Sequence, residues 1–518
     1  MIRKTILLSG LFLQLFSGIG QVQGRQKADP KPNVLIIYTD DHRYSGVAAL
    51  GGMQVRTPNM DRLIEDGLAF DNAFLMGAFT GATCVASRAM LLTGRNVFDL
   101  NGQGHTIPED HPTIGEVFGQ AGYQTYIIGK WHQDNASLAR SFHGGAALMS
   151  RGIYWEDHFR MPLWDWDPQG NYPADKGYLI RRDHEGRWQR SSLEGMAHRG
   201  PISTEDFGPH TSEIFAYEAK KFLDEYQKED PFLMYLAFHA PHDPRQAPRD
   251  FLNAYPPELI DLPPSYMPSH GFDNGHMFLR DEELAPWPRT RERMQQELAS
   301  YYAIISHLDA QIGKVVNALK ANGQYENTLI VLVGDSGLAV GNHGLLGKQN
   351  IYDEDGIHVP LVFSGGAIKQ KGERREAYAY IHDIFPTIAE LAGLSIPGST
   401  DGKSLAKVIL GEQESVRDYT YHAYRQFQRA YRKGDMKLIE YVRAGDSNKQ
   451  LGEYEAGSRV TQLFDLSKDP WEIKNLAIFP EYFETVKTMR KEMKEKAVLL
   501  KDNKAQLDAA YDFWDYFE

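Results

Sequence analysis

Four apolar runs, far apart along the chain, each stop abruptly at charged or imidazole side chains. Val34-Leu35-Ile36-Ile37-Tyr38 ends in Thr39-Asp40-Asp41, and Tyr126-Ile127-Ile128 passes through Gly129 into Lys130-Trp131-His132. Phe232 to Phe238 runs into His239-Ala240-Pro241-His242, and Leu329 to Val333 into Gly334-Asp335-Ser336. Short β-rich apolar runs of this kind read as strands buried on both faces. Helical patterns lie between them, over Asn59–Asp66, Thr113–Ala121, Thr211–Tyr226 and Arg291–Asn322. Strands alternating with helices predict an α/β fold with a large, mainly parallel sheet flanked by helices. Ligands of such sheets bind beyond the carboxyl ends of the strands, so the four polar strand ends are expected to share one crevice.

Past about residue 400 the texture changes. Tyr419–Arg425, Arg429–Arg432 and Met436–Val442 read as short strands joined by tight turns, and a helix is expected from about Tyr482 to Lys501. The expected organisation is a catalytic α/β domain over 31–399 and a smaller C-terminal antiparallel sheet with a helix over 400–518. At the other end, Arg3 and Lys4 precede an apolar run from Ile6 to about Phe16, followed by small residues. The run is shorter than the ~20 residues that span a bilayer. It reads as a secretory signal peptide over 1–24, the alternative being an amphipathic N-terminal helix of the mature fold. A secreted or periplasmic location follows from the first reading, with no stable membrane insertion.

Composition narrows the function. Hydrophobic residues at 42% and charged residues at 24% describe an ordinary globular protein. A formal net charge of −13 argues against a general nucleic-acid binder, and an anionic substrate would need a local basic pocket. The single cysteine, Cys84, can pair with nothing inside the chain. It is either an inert buried thiol or a chemical group.

The residues around it decide. Cys84-Val85-Ala86-Ser87-Arg88 continues to Leu92-Thr93-Gly94-Arg95. Here the sequence resembles the type I, formylglycine-dependent sulfatase family of the alkaline phosphatase superfamily, whose signature is Cys-x-(Pro/Ala)-x-Arg with a Leu-Thr-Gly-Arg ending. Further blocks carry the likeness along the chain: Thr57-Pro58-Asn59-Met60-Asp61-Arg62-Leu63, Gly129 to His132, His239 to His242, Asp335 to Lys348, and Leu463-Phe464-Asp465-Leu466. The resemblance implies an alkaline phosphatase-like fold and a cysteine oxidised to formylglycine by a dedicated maturing enzyme, which would be a partner of this chain. The hydrated aldehyde offers two hydroxyls on one carbon. One attacks sulfur, and the other later expels sulfate and restores the aldehyde.

The resemblance also implies roles. Asp40, Asp41 and Asp335 match metal-binding carboxylates, with modified Cys84 contributing an oxygen, and an all-oxygen set suits Ca²⁺. Ser336 departs from the family, which has Asn or His there as a further ligand, and this puts that ligand in doubt. Arg88 and Lys130 match residues that hold the formylglycine hydrate, and His132 the group that takes a proton as sulfate leaves. His242 and Lys348 match groups beside the ester oxygen, where either could stabilise or protonate the leaving alcohol. His239 and His343 are expected to support rather than react. Trp155, Trp164, Trp166 and Trp188 fall in an insert over about 136–199, where they either stack on sugar rings or tie the insert down. Sulfated sugars are the expected substrates, with aryl sulfates next. A phosphonate monoester or phosphodiester hydrolase, or a non-catalytic glycan-binding relative, are the alternatives.

Overall fold

The computed structural model describes residues 31–52, 54–149, 157–193, 204–443, 458–503 and 512–517. The expected signal peptide and Trp155 lie outside them. Fifteen strands are described: β1 (Asn33–Asp40), β2 (Leu68–Phe74), β3 (Gly77–Ala78), β4 (Gln124–Lys130), β5 (Gly144–Met149), β6 (Tyr178–Arg182), β7 (Trp188–Ser192), β8 (Phe232–Pro241), β9 (Thr328–Gly334), β10 (Leu361–Ser364), β11 (Glu373–Tyr380), β12 (Thr420–Tyr424), β13 (Gln428–Lys433), β14 (Met436–Arg443) and β15 (Ser458–Asp465).

The large sheet has the order β11-β2-β10-β9-β1-β8-β4-β5. β1 pairs in parallel with β8 and β9, β4 with β8 and β5, and β2 with β11, whereas β10 alone runs antiparallel to its neighbours. All four apolar runs therefore lie side by side at the centre, pointing one way. Alternation sends Val34, Ile36 and Tyr38 to one apolar layer and Leu35 and Ile37 to the other. Helices cover both layers, as a sheet buried on two faces requires. The helices expected from sequence form at Pro58–Glu65, Ile114–Gln120, Thr211–Glu225 and Arg291–Ala321. Thr113 opens the second of them by accepting the Glu116 N–H, while the Glu116 side chain accepts the Thr113 N–H in return.

The second sheet has the order β15-β14-β13-β12-β3 and is antiparallel except at β3. The helix Phe483–Leu499 buries Val486, Met489, Met493 and Ala497. The two-residue strand β3 is a member that strand patterning could not reveal. It pairs Gly77 with Ala423 and Ala78 with Tyr424, so the second sheet reaches the segment leading to Cys84. Within the insert, Trp164 and Trp166 pack against one apolar layer and Trp188 against the other. These three rings tie the insert down. Among the described residues, no helix is long and apolar enough to cross a membrane.

Candidate active site

Strand register sets the site. Thr39 lies opposite Gly334, Asp40 opposite Pro241, and Gly129 opposite Ala237, so the four polar ends emerge at one level. The Asp335 N–H donates to the Thr39 carbonyl at 2.9 Å, locking two of those ends together. Gly129 has φ 91°, and a Cβ there would fall 2.1 Å from the Ala237 carbonyl oxygen. Only glycine lets β4 turn Lys130 into the crevice. Asp41 and His132 sit at φ 62° and 80°, a left-handed backbone that costs non-glycine residues about 1–2 kcal/mol each.

Cys84 lies in the first turn of the helix Thr83–Thr93, every residue of which is buried. Its Sγ is 3.4 Å from His132 Nδ1 and 3.9 Å from Lys130 Nζ. Burial pushes the thiol up to about 11 against the pull of Lys130 and Lys348, which makes an unmodified cysteine a poor nucleophile here. Burial, with the charges of Lys130 and Arg88, holds His132 well below the usual imidazole range, so it stands neutral. One turn along the same helix face, Arg88 donates to the Lys130 carbonyl at 2.9 Å and to Asp40 Oδ2 at 2.8 Å. Lys130 Nζ lies 2.6 Å from the same Asp40 oxygen.

Three carboxylates and three cations thus meet with almost no water. Asp40, Asp41 and Asp335 face Arg88, Lys130 and Lys348, all buried. Burial opposes ionisation of Asp40, but Lys130 and Arg88 hold its pKa well below the ordinary range. Asp335 moves the other way, raised by burial and by the charge of Asp40. Asp335 Oδ1 accepts the Asp41 N–H at 2.8 Å, while Asp40 Oδ1 and Asp335 Oδ2 are buried without a hydrogen bond, the latter 3.7 Å from the Arg88 guanidinium. Orphaned carboxylate oxygens of this kind are costly unless a cation meets them. Ligand atoms of Asp40, Cys84 and Asp335 lie within 4.8 Å of one another, as do those of Asp40, Asp41 and His242. These groups could therefore hold a metal ion. The Ser336 hydroxyl lies 3.3 Å from both Asp41 Oδ1 and Asp335 Oδ1, between the two carboxylates.

Opposite the thiol stand Lys348 and His242. The Lys348 ammonium pairs with Asp41, and His242 Nε2 is 3.8 Å from Asp41 Oδ2. The Asp243 carbonyl accepts a hydrogen bond from His242 Nδ1 at 2.8 Å, which fixes the tautomer and leaves Nε2 facing the crevice. His239 stacks between His242 and His158 at 4.7 and 4.8 Å, with both ring nitrogens buried and unpartnered. His343 lies in a different network, bonded to Asp355 at 2.6 Å and to the Glu472 carbonyl at 3.1 Å. Burial opposes its protonation, yet Asp355 raises its pKa, and its two bonds tie the segments of Asp355 and Glu472 together.

Among the elements that sequence reading missed, one shapes the site directly. The single helical turn Arg280–Glu283 sends three consecutive side chains to three parts of the site. Arg280 pairs with Asp243 beside His242. Asp281 accepts from Gln349 Nε2 at 2.7 Å, and Gln349 also donates to the Gly81 carbonyl and accepts the Lys348 N–H. Glu282, paired with buried Arg289, accepts the N–H groups of Leu346 and Gly347 at 3.0 and 2.9 Å. In one sequence, Arg-Asp-Glu-Glu reads as a solvated charged turn, and nothing local signals otherwise.

A family model described as sulfatase matches residues 32–394. A second, described as the C-terminal part of N-sulphoglucosamine sulphohydrolase, matches 341–498. An N-acetylglucosamine-6-O-sulfatase of Bacteroides thetaiotaomicron is 27% identical, the alignment covering 92% of this chain and 88% of that protein. A solved structure of a protein bound to its substrate D-glucosamine-2-N,6-O-disulfate superposes with a TM-score of 0.70 at 22% identity, covering 92% of this chain and 99% of that one. A phosphonate monoester hydrolase from Silicibacter pomeroyi superposes with a TM-score of 0.64 at 23% identity, covering 90% and 95%. At such identities the two structural likenesses speak for the fold alone.

Proposed function

This chain belongs to the sulfatase family, and from that membership we propose that it removes sulfate from sulfated sugars by way of a formylglycine made from Cys84. The observation that carries the proposal is a lone buried thiol set between His132 and Lys130, beside two buried carboxylate oxygens that accept no hydrogen bond. The likeness to an N-acetylglucosamine-6-O-sulfatase supports a sugar sulfate over an aryl sulfate. Asp40, Asp41 and Asp335, with an oxygen of the modified Cys84, would hold the metal ion, and the all-oxygen set favours Ca²⁺. Such an ion supplies positive charge for the incoming sulfate and polarises the nucleophilic hydroxyl.

In this reading a maturing enzyme converts the Cys84 side chain to an aldehyde, which adds water to carry two hydroxyls. Arg88 and Lys130 orient that hydrate. One hydroxyl oxygen attacks sulfur while the sulfur–oxygen bond to the sugar breaks, and His242 or Lys348 gives a proton to the departing oxygen. His132 then takes the proton of the second hydroxyl, the carbon–oxygen bond to sulfate breaks, and the aldehyde returns. Net, one water is consumed, and sulfate and an alcohol are released. The apolar run Ile6–Phe16 supports export to the periplasm or beyond, which N-terminal sequencing of protein recovered outside the cytoplasm tests.

The direct experiment is the mass of the Cys84 peptide after expression with a maturing enzyme, alongside turnover of Cys84→Ser. Aldehyde in the parent and no multiple turnover in the variant are expected, because serine lacks the second hydroxyl. Variant activity near the parent's defeats the proposal. Matched sulfate and phosphate esters separate it from a phosphonate or phosphodiester hydrolase.

A further inference from the structure

The hairpin joining β12 to β13 turns at Arg425-Gln426-Phe427, and its corner is built against the loop that carries Lys348. Gln428 Nε2 donates to the Gln349 carbonyl at 3.3 Å and to the Asn274 carbonyl at 3.0 Å. The Phe427 ring is buried so closely against Gly275 that a Cβ there would fall 2.3 Å from it. The Arg425 N–H donates to the Ala78 carbonyl at 2.8 Å, in the short strand that leads to Cys84. The corner therefore sits at the junction of the Lys348 loop and the approach to the nucleophile.

Arg425 differs from Arg429, Arg432 and Arg443 of this sheet. Arg429 is bonded to Asp502 at 2.5 and 2.7 Å, Arg432 pairs with Asp353 at 3.2 Å, and Arg443 faces Asp273 at 3.4 Å. Among the described residues Arg425 has no acid within 4.0 Å, and its Nε is buried without a hydrogen-bond partner. The residue is half-buried and held at φ 43°. Asp281 acts on the same His276 and Tyr424 that Arg425 acts on, without pairing with Arg425 itself. The Phe427 ring lies 5.8 Å from the guanidinium, and His276 is bonded to the Tyr424 hydroxyl at 2.5 Å. Burial and the nearby Arg425 charge keep His276 neutral, down at about 3. A strained, half-buried cation with no carboxylate paired to it, beside the loop of Lys348, can offer the outer edge of its guanidinium to a second anion.

We propose that Arg425 forms a second anion subsite, which binds a further carboxylate or sulfate of the sugar whose sulfate ester is cleaved. The planar guanidinium fork matches either oxyanion. This rests on the sulfated-sugar reading above and specifies its substrate class as sugars that carry at least two negative groups.

The test compares kcat/KM for a monosulfated sugar, the same sugar with a second sulfate, and the same sugar with a carboxylate. The readout is the ratio of each doubly charged substrate to the singly charged one. A charge-assisted contact predicts a preference of about 10–100-fold in the parent. Arg425→Lys should keep part of it, Arg425→Gln should lose it, and Arg425→Glu should invert it. The two arms tell sulfate from carboxylate. A ratio indifferent to the charge at position 425, or equal losses on all three sugars, overturns the proposal. If the variants fold poorly, salt decides: a subsite cation makes the parent's preference fall as ionic strength rises, and a salt-independent ratio overturns it. Cleavage of an aryl sulfate but of none of the sugars would instead defeat the sulfated-sugar reading beneath it.

Discussion

At the scale of single residues, the site separates two halves of the chemistry. Cys84 lies against His132 and Lys130, whereas His242 and Lys348 lie against Asp41. His242 offers its Nε2 because the Asp243 carbonyl occupies Nδ1. If that nitrogen protonates the leaving oxygen, His242→Ala should lower kcat most for sugar sulfates, whose alkoxide leaving groups need the proton. An aryl sulfate leaves as a stabilised phenolate and should lose far less. General acid help is worth ~10²–10⁴-fold, which sets the expected gap under saturating conditions. Equal losses on both esters would shift the role to Lys348. Cys84, Lys130, His132 and His242 were legible from the sequence because each ends an apolar run or belongs to the motif around the lone cysteine, whereas Lys348 was marked only by the family resemblance. The part of Ser336 was not legible, since its hydroxyl takes meaning only from Asp41 and Asp335 at 3.3 Å on either side.

At the scale of elements, the turn Arg280–Glu283 binds the leaving-group half together. Asp281 and Gln349 are one link in that clamp, joined at 2.7 Å. Losing a charged hydrogen bond of this kind costs about 1.5–3 kcal/mol. Asp281→Ala and Gln349→Ala should each lower kcat on sugar sulfates by roughly 10–100-fold, and the double variant should fall little further. Fully additive losses would show that the two side chains do not act through one another. A second element is held around a buried carboxylate. Buried Asp383 accepts the N–H groups of Tyr380 and Lys403 and pairs with Arg417. Burial opposes its ionisation, yet Arg417 holds its pKa below the usual carboxylate value. Because the folded pKa is depressed, this stability is present above the unfolded value of about 3.9 and is lost as pH falls through the folded one. Arg417→Ala should cost about 3–5 kcal/mol near neutral pH, and the parent's advantage in thermal melts should shrink below about pH 4. A penalty that is constant across that range would remove the ion pair as its cause.

At the scale of the whole molecule, the three buried site carboxylates couple folding to metal binding. A metal bound only by the folded state stabilises it by about 2.7 kcal/mol at a hundred times its dissociation constant. Chelation should therefore lower both Tm and activity, and re-addition of Ca²⁺ should restore both. Asp335→Asn removes one formal charge from the site and should raise the metal concentration needed for that recovery. Unchanged melting and turnover after verified metal removal would eliminate the assigned role. The two sheets meet at the same place: β3, paired with β12, leads directly to the Cys84 helix. Damage to the C-terminal sheet is thus transmitted to the nucleophile through backbone hydrogen bonds.

Periodicity and motif determined the central strands, the main helices, the crevice at the strand ends and the residues that line it. Those are local properties: an apolar run of strand length ending in charge carries its fold and its position in one stretch of chain. What only the tertiary structure decided lies in pairings between segments hundreds of residues apart. Gly77–Ala78 is too short to show a strand pattern, and becomes one only when β12 arrives beside it. Arg280, Asp281 and Glu282 look like a surface turn until folding brings Asp243, Gln349 and the 346–347 backbone within hydrogen-bond reach. Arg425 differs from Arg429, Arg432 and Arg443 only because no carboxylate is folded against it. A side chain's partners are set by three-dimensional distance, and one sequence records order along the chain.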